Sequence, residues 1–341
     1  MAVSPGGRSR TRILDIPGRE ILHRGRRRGG RRHVRGRVAF YRRRGRGSPL
    51  GERTAHPTEG DPVDAPLTLP DTGSGDLSEG SVYFIGNATT LIRYGGFTIL
   101  TDPTFLHAGD HVHLGHGMYA RREVEPACRI ADLPPLDFVV LSHHHGDHFD
   151  DVAAAQLSKD LPIITTGHAV GLLSEQGFTR GHALDTWQSQ NVIRGENTVR
   201  ITAMPAKHDP DPVAGMLPPT MGSMLDFGRD GERSFRLYIS GDTLLHDRLY
   251  DIPQRYPDID LALVHAGGTT LLGTVVTMTG AQAVRAVEIV APRQAVPIHY
   301  NDYSVFASGL DDVKQAAATS STTAEFHYLT HGETHHFRPL G

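Results

Sequence analysis

The chain has 341 residues with 35 basic and 38 acidic side chains, a formal net charge of only −3. That figure hides an asymmetry: residues 1–53 hold 17 of the basic residues, all arginine, against Asp15, Glu20 and Glu52, while the rest carries 18 basic against 35 acidic residues, or −17. An acidic body argues against broad nucleic-acid contact outside the tail, the single cysteine, Cys128, cannot form an internal disulfide, and no segment approaches the ~20 apolar residues of a membrane span.

The stretches HRGRRRGGRRHVRGRV and YRRRGRG have almost no apolar period, and the sequence predicts a disordered tail. Dense arginine neutralises phosphates, so a nucleic-acid arm is one reading of it and a plain unstructured extension the other; no interleaved aromatic platform supports the first. The N-terminus lacks the apolar core of a secretory signal, and with one thiol the expected location is the cytoplasm. Residues 54–78 are rich in Pro, Gly, Asp and Thr and read as a linker, giving a tail and linker over 1–78 and one folded domain over 79–341.

The domain opens with SVYFIG, TTLIRY and FTILTD, three β-rich runs separated by NA and GG turn signals, an antiparallel start. DFVVLS (137–142) and PIITT (162–166) follow as strands around the helix-like DDVAAAQLS. The second half reads NVIRG, TVRITAMPA, GSMLDFG and SFRLYISGD as strands, then a helix in LLHDRLYDI, the strand DLALVHAGG, a helix in TGAQAVRAVEIVA, the strand QAVPIHY and a helix near 308–319. Two similar halves of alternating strands and helices predict an α/β sandwich in four layers: helix, sheet, sheet, helix.

LSHHHGDHFD (141–150) comes directly off an apolar strand. His143 and His145 are two residues apart, so an extended backbone projects both to one side, where they can grip one metal. Gly146 permits a change of direction, after which Asp147 and His148 face a second position. His144 points the other way and is left out of the metal shell. Imidazole and carboxylate without thiolate suit Zn²⁺, Mn²⁺ or Fe.

These residues resemble the signature of the metallo-β-lactamase fold hydrolases over about 81–338. FIGNATTLIRYGGFTILTDP resembles the opening of the branch that includes N-acylphosphatidylethanolamine phospholipase D and the ascorbate-6-phosphate lactonases. PAKHD, ISGDT and VPIHY fall where that branch has its remaining ligands. The resemblance implies a four-layer αββα fold and two divalent metals, zinc first, with manganese or iron as alternatives. It implies that His208 joins His143 and His145, that Asp147, His148 and His299 form the second site, and that Asp242 bridges both. Asp102 would be the buried acid orienting a ligand histidine. A bridging water of lowered pKa would then attack a phosphodiester, cyclic phosphate, lactone or related ester, in a small-molecule or lipid-like substrate, with Asp147 orienting it. Histidine at 145, where the related flavodi-iron oxidoreductases usually have glutamate, favours hydrolysis.

His265 in LVHAGG departs from the branch pattern; it is taken as a catalytic candidate, contacting substrate or backing a ligand, with a satisfied interior histidine as the plain alternative. FLHAGDHVHLGHGMYARRE (105–123), with His107, His111, His113 and His116, reads as an aperiodic lid. Arg121 and Arg122 at its end read as surface residues, with a phosphate contact as the sharper option. DPDPVAGMLPPTMGS reads as a rim loop. The competing functions are a nucleic-acid-binding protein or nuclease using the tail, and a catalytically silent metal-binding protein.

Overall fold

A computed structural model describes residues 63–73, 75–115, 117–211 and 213–339. The arginine-rich tail, with the nucleic-acid role considered for it, and His116 lie outside the described residues.

The described chain starts with β1 (Leu67–Thr68) and the antiparallel β2 (Gly80–Gly86), β3 (Thr89–Tyr94) and β4 (Phe97–Thr101). A loop with the hairpin β5 (His111–His113) and β6 (Tyr119–Arg121) leads to β7 (Phe138–Val140), α1 (Asp151–Gln156), β8 (Ile163–Thr165), α2 (Gly167–Glu175) and β9 (Gly181–Ala183). The second half contains β10 (Ser189–Arg194), β11 (Asn197–Met204), β12 (Gly222–Arg229), β13 (Glu232–Ile239), α3 (Asp251–Arg255) and β14 (Leu261–His265). It closes with the small hairpin β15 (Thr270–Leu271) and β16 (Thr274–Val275), α4 (Gly280–Val290), β17 (Gln294–Ile298), α5 (Leu310–Thr319), β18 (Glu325–Phe326) and β19 (Thr334–Phe337).

One sheet has the order β1-β10-β11-β12-β13-β14-β17-β18 and the other β19-β2-β3-β4-β7-β8-β9. Between them lies an apolar core drawing on both, with Phe84, Ile99, Phe138 and Val140 from one sheet and Val199, Leu225, Leu237 and Val296 from the other. Alternate residues of the same strands, such as Leu100 and Val139, turn outward and are covered by Ala153, Leu157, Ala169 and Leu173 on and beside α1 and α2. Val264, Ala283, Val287 and Val313 do the same between the second sheet and α4 and α5. Strands buried on both faces explain why FVV and LALV are continuously apolar and not alternating. The four expected layers are present.

Four differences from the sequence expectations have physical causes. Part of the expected linker is inside the domain: Leu67 and Thr68 pair with Val192 and Ile193, and Val63, Leu67, Leu69 and Leu77 pack on the inter-sheet core. Alternation over three residues flanked by prolines is too short to signal a strand. The lid is not aperiodic, because His111–His113 pairs with Tyr119–Arg121. Helix α2 escapes a periodicity reading because Gly167 and Gly171 interrupt it, and the short polar β19 hides its role as a sheet edge.

His335 on β19 is buried and its Nε2 lies 2.9 Å from Gln294 Oε1 of β17, so it ties the two sheets together. Burial, with His327 and His336 beside it, pushes this imidazole down to about 4. It folds neutral, so the unfolded chain binds the extra proton between about pH 6.5 and 4, and stability falls as pH drops through that window. Urea titrations of His335→Asn are expected to recover part of that acid-side loss, at most about 3 kcal/mol.

Candidate metal centre

The sequence-predicted site residues sit where strands end. Asp102 follows β4, the run 141–150 follows β7, His208 follows β11, Asp242 follows β13, and His265 and His299 close β14 and follow β17. Strands β4 and β7 are parallel, as are β13, β14 and β17, so their carboxyl ends open on one edge, the usual position for a site in such sheets.

His143, His145 and His208 form one group and Asp147, His148 and His299 another, each with ligand-type atoms within 4.8 Å of one another. His143 Nε2 lies 3.1 Å from His145 Nδ1. Asp242 reaches both groups: Oδ2 is 3.4 Å from His148 Nε2 and 3.9 Å from His208 Nε2, and Oδ1 is 3.5 Å from His299 Nε2. Asp147 Oδ2 is 3.6 Å from His299 Nε2 and 3.9 Å from His148 Nε2. Nitrogen ligands about 2.1 Å from a tetrahedral ion stand about 3.4 Å apart, so these spacings suit such a centre.

Three of the ligand side chains, His148, His208 and Asp242, are held from behind. Asp102 accepts from Ser142 N–H (2.7 Å) and Ser142 O–H (2.9 Å), and its Oδ2 lies 3.0 Å from His148 Nδ1, fixing that ring with Nε2 forward. His208 Nδ1 lies 3.0 Å from the Val276 carbonyl, and Thr277 donates to Asp242 Oδ2 at 2.8 Å. Asn87 donates from Nδ2 to the Asp147 carbonyl (2.5 Å), while its own carbonyl accepts from His299 N–H (2.7 Å). Asn87, Asp102 and His299 all adopt left-handed backbone, with φ of 54, 33 and 59°. Such strain in non-glycine residues persists only where the surroundings enforce it, and it gathers at functional sites. Ser142, Thr277 and Asn87 escaped the sequence reading; Asn87 carried a turn signal there and nothing more.

Two glycines let the loops close in. A Cβ on Gly146 would lie 2.4 Å from Val112 Cγ2 and 2.5 Å from the His113 carbonyl, so this glycine is required by the lid hairpin pressing on it. Gly241, with φ of 61°, would meet the Met221 carbonyl at 2.5 Å. Gly241→Ala is expected to destabilise the protein by about 1–3 kcal/mol, read from the thermal midpoint.

The electrostatics prepare the ligand atoms. Burial holds His143 far below the ordinary imidazole range, pushes His145 down to about 4 and lowers His208, keeping their lone pairs free. Burial opposes charge on Asp102, Asp147 and Asp242, yet the surrounding imidazoles hold all three carboxyls below their usual range, Asp102 at about 2. For His148 burial is likewise outweighed, by Asp242, Asp147 and the Asp102 bond, and its pKa rises well above normal. Asp147 and Asp242 thus draw positive charge to the Nε2 side of His148, with Asp102 behind the ring. Asp147 Oδ1, Asp242 Oδ1, His148 Nε2 and His299 Nε2 are buried without a hydrogen-bond partner, a state that is costly for polar atoms unless something else satisfies them. Nitrogen and oxygen donors, the neutral imidazoles of His143, His145 and His208 and the ionised carboxylates of Asp147 and Asp242 fit a divalent cation, which would take the place of the proton that these carboxylates draw onto His148.

His265 stands elsewhere. It is fully buried, with Nδ1 3.1 Å from Ser240 Oγ and Nε2 3.6 Å from Asp102 Oδ2. The ring therefore backs Asp102 and does not line the cavity above the ligands, so substrate contact is not its position. His144 turns away from the ligands, 3.3 Å from Gln176 Oε1. Arg121 is exposed and paired with Glu123, but Arg122 is fully buried, donating to the Val124 and Thr104 carbonyls and facing Asp302 at 3.5 Å. The expected surface position for Arg122 is therefore corrected: the loop folds over it and the buried carboxylate holds it there. Among the described residues, His107, His111 and His113 join no group of three metal-capable side chains.

Residues 98–300 match the family described as "Beta-lactamase superfamily domain". A UPF0173 metal-dependent hydrolase of Cupriavidus metallidurans is 27% identical over 264 residues, 74% of this chain and 84% of that protein. The crystal structure of an isothiocyanate hydrolase from Delia radicum gut bacteria aligns with a TM-score of 0.64 at 20% identity, over 76% of this chain and all of that one. A possible metal-dependent hydrolase from Veillonella parvula aligns with a TM-score of 0.63 at 21% identity, over 76% of this chain and 99% of that one. With that match across more than half its length, the chain belongs to the beta-lactamase superfamily, in its metal-dependent hydrolase fold.

Proposed function

We propose that the chain is a binuclear metal-dependent hydrolase that cleaves an uncharged ester or lactone bond. The observation that carries this reading is Asp242, whose two oxygens face histidines of both ligand groups at 3.4–3.9 Å. His143, His145 and His208 would hold one ion, Asp147, His148 and His299 the other, with Asp242 between them. Bound divalent cations supply Lewis acidity and a water of lowered pKa; zinc suits the donor set first, with manganese and iron also accommodated.

The chain's own groups do the positioning. Asp147 Oδ1, buried at the cavity floor without a partner, can accept a proton from the attacking water. Thr277 orients Asp242, and Asp102 fixes the His148 ring. Among the described residues no lysine or arginine lines the adjoining cavity, and both arginines considered for a phosphate are engaged elsewhere, which favours an uncharged ester over a phosphodiester. The lone thiol, Cys128, suits a reducing cytoplasm as the proposed location.

The test compares metal-loaded, chelator-treated and metal-restored protein on a panel of carboxylic esters, lactones and phosphodiesters. Ester or lactone turnover that vanishes with chelation and returns with metal is expected. Faster phosphodiester turnover would overturn the substrate class, and a silent panel would overturn the enzyme reading.

A further inference from the structure

Two small apolar clusters stand apart from the sandwich core and roof the metal centre. One contains Val112, Leu114 and Tyr303, the other Val213, Leu217 and Leu271, and Met118 packs against both. They come from the β5–β6 loop, the segment after His208, the β15–β16 hairpin and the segment between β17 and α5 that carries Tyr303, four excursions with no part in the layers beneath. Together they enclose a cavity of about 260 Å³ whose floor is His145, Asp147, His208 and Asp242. A second, more open groove of about 680 Å³ is edged by His144, His168, Asp209 and Thr220. The two share His145, His208 and Leu217, so they meet at the ligand residues.

A volume of 260 Å³ is below the 300–1,000 Å³ of sites that take a whole drug-sized ligand. It has room for one substituent, and although Tyr119, Thr269 and Thr270 reach it, most of its wall is Leu, Met and Val side chains, which favours an apolar one. The groove offers imidazoles, a carboxylate and a hydroxyl to a hydrogen-bonding group. Resting on the hydrolase reading above, we propose that the substrate spans both chambers: an amphipathic ester whose apolar acyl or alkyl substituent enters the closed chamber while its polar substituent lies in the open groove. Met118 and Leu271 set the length of the apolar part, and His144, which supplies no metal ligand, borders the polar part.

The test measures kcat/KM of metal-replete full-length protein by pH-stat on ethyl acetate, ethyl hexanoate, 2,3-dihydroxypropyl hexanoate and hexyl hexanoate. One chain should raise kcat/KM about fourfold per methylene, the dihydroxypropyl ester should at least equal the ethyl ester, and a second chain should add nothing. Leu271→Trp should flatten the chain-length dependence while metal content, measured on the same sample, stays at the wild-type value; Met118→Trp gives the same readout if that variant fails to fold. An equal gain from the second chain, or an unchanged slope in both variants, would overturn the two-chamber proposal while leaving the hydrolase reading intact. Absence of turnover on every ester would remove both.

Discussion

Replacing Asp242 by alanine is expected to lower ester hydrolysis by more than about 100-fold and to reduce bound metal to one ion per chain or fewer. Supporting groups behind metal ligands typically contribute 10–100-fold, and Asp242 is proposed to touch both ions directly. Its carboxylate is buried, lies within 3.4–3.9 Å of three imidazoles and is oriented by Thr277, so no neighbouring acid can replace it. Asp242 caps no helix, since a stretch of irregular chain and a short turn of 3-10 helix at Asp247–Tyr250 separate it from α3. Metal content and kcat measured on one preparation check the outcome; a variant with wild-type values of both would contradict the assignment.

The second large effect is expected at Asp102, which touches no substrate. Its two oxygens serve the Ser142 amide, the Ser142 hydroxyl and His148 Nδ1, and His265 backs it at 3.6 Å. Asp102→Ala strands these buried groups, a loss of about 3–5 kcal/mol in stability by analogy with removing one member of a buried charged pair. Asp102→Asn keeps the shape and part of the bonding, so the fold should survive while metal affinity falls about 10–100-fold. Chemical denaturation for the first and competitive chelator titration for the second separate the two effects. Wild-type affinity in the asparagine variant would show that His148 needs no orienting acid.

The sequence made the strand-borne half of this site legible. His143, His145, Asp147 and His148 are adjacent in the chain, so the geometry of a strand end was enough to group them. His208, Asp242 and His299 came only through resemblance, because nothing local in PAKHD or VPIHY says which of two sheets will bring them together. The supporting residues were less visible. The Asn87 and Thr277 side chains act through one hydrogen bond each, across 60 and 35 residues, and such a bond leaves no periodic trace. Arg122 was misread because a charged side chain at the end of a Gly-rich loop suggests a surface, yet it is buried against Asp302 and two backbone carbonyls; for His265 the sequence left substrate contact, support of a ligand and an interior position open, and only the fold places it beside Ser240 and Asp102. The layers followed from the alternation of strands and helices, while β1 and β19 were too short to announce that they edge the sheets.

The most direct test of the account is the metal stoichiometry of the purified chain after equilibration with zinc and removal of free ion, measured by plasma mass spectrometry alongside ester turnover. Two ions per chain, with turnover lost as they are stripped, is the predicted result. A single ion or none in a preparation that hydrolyses esters at full rate would contradict it.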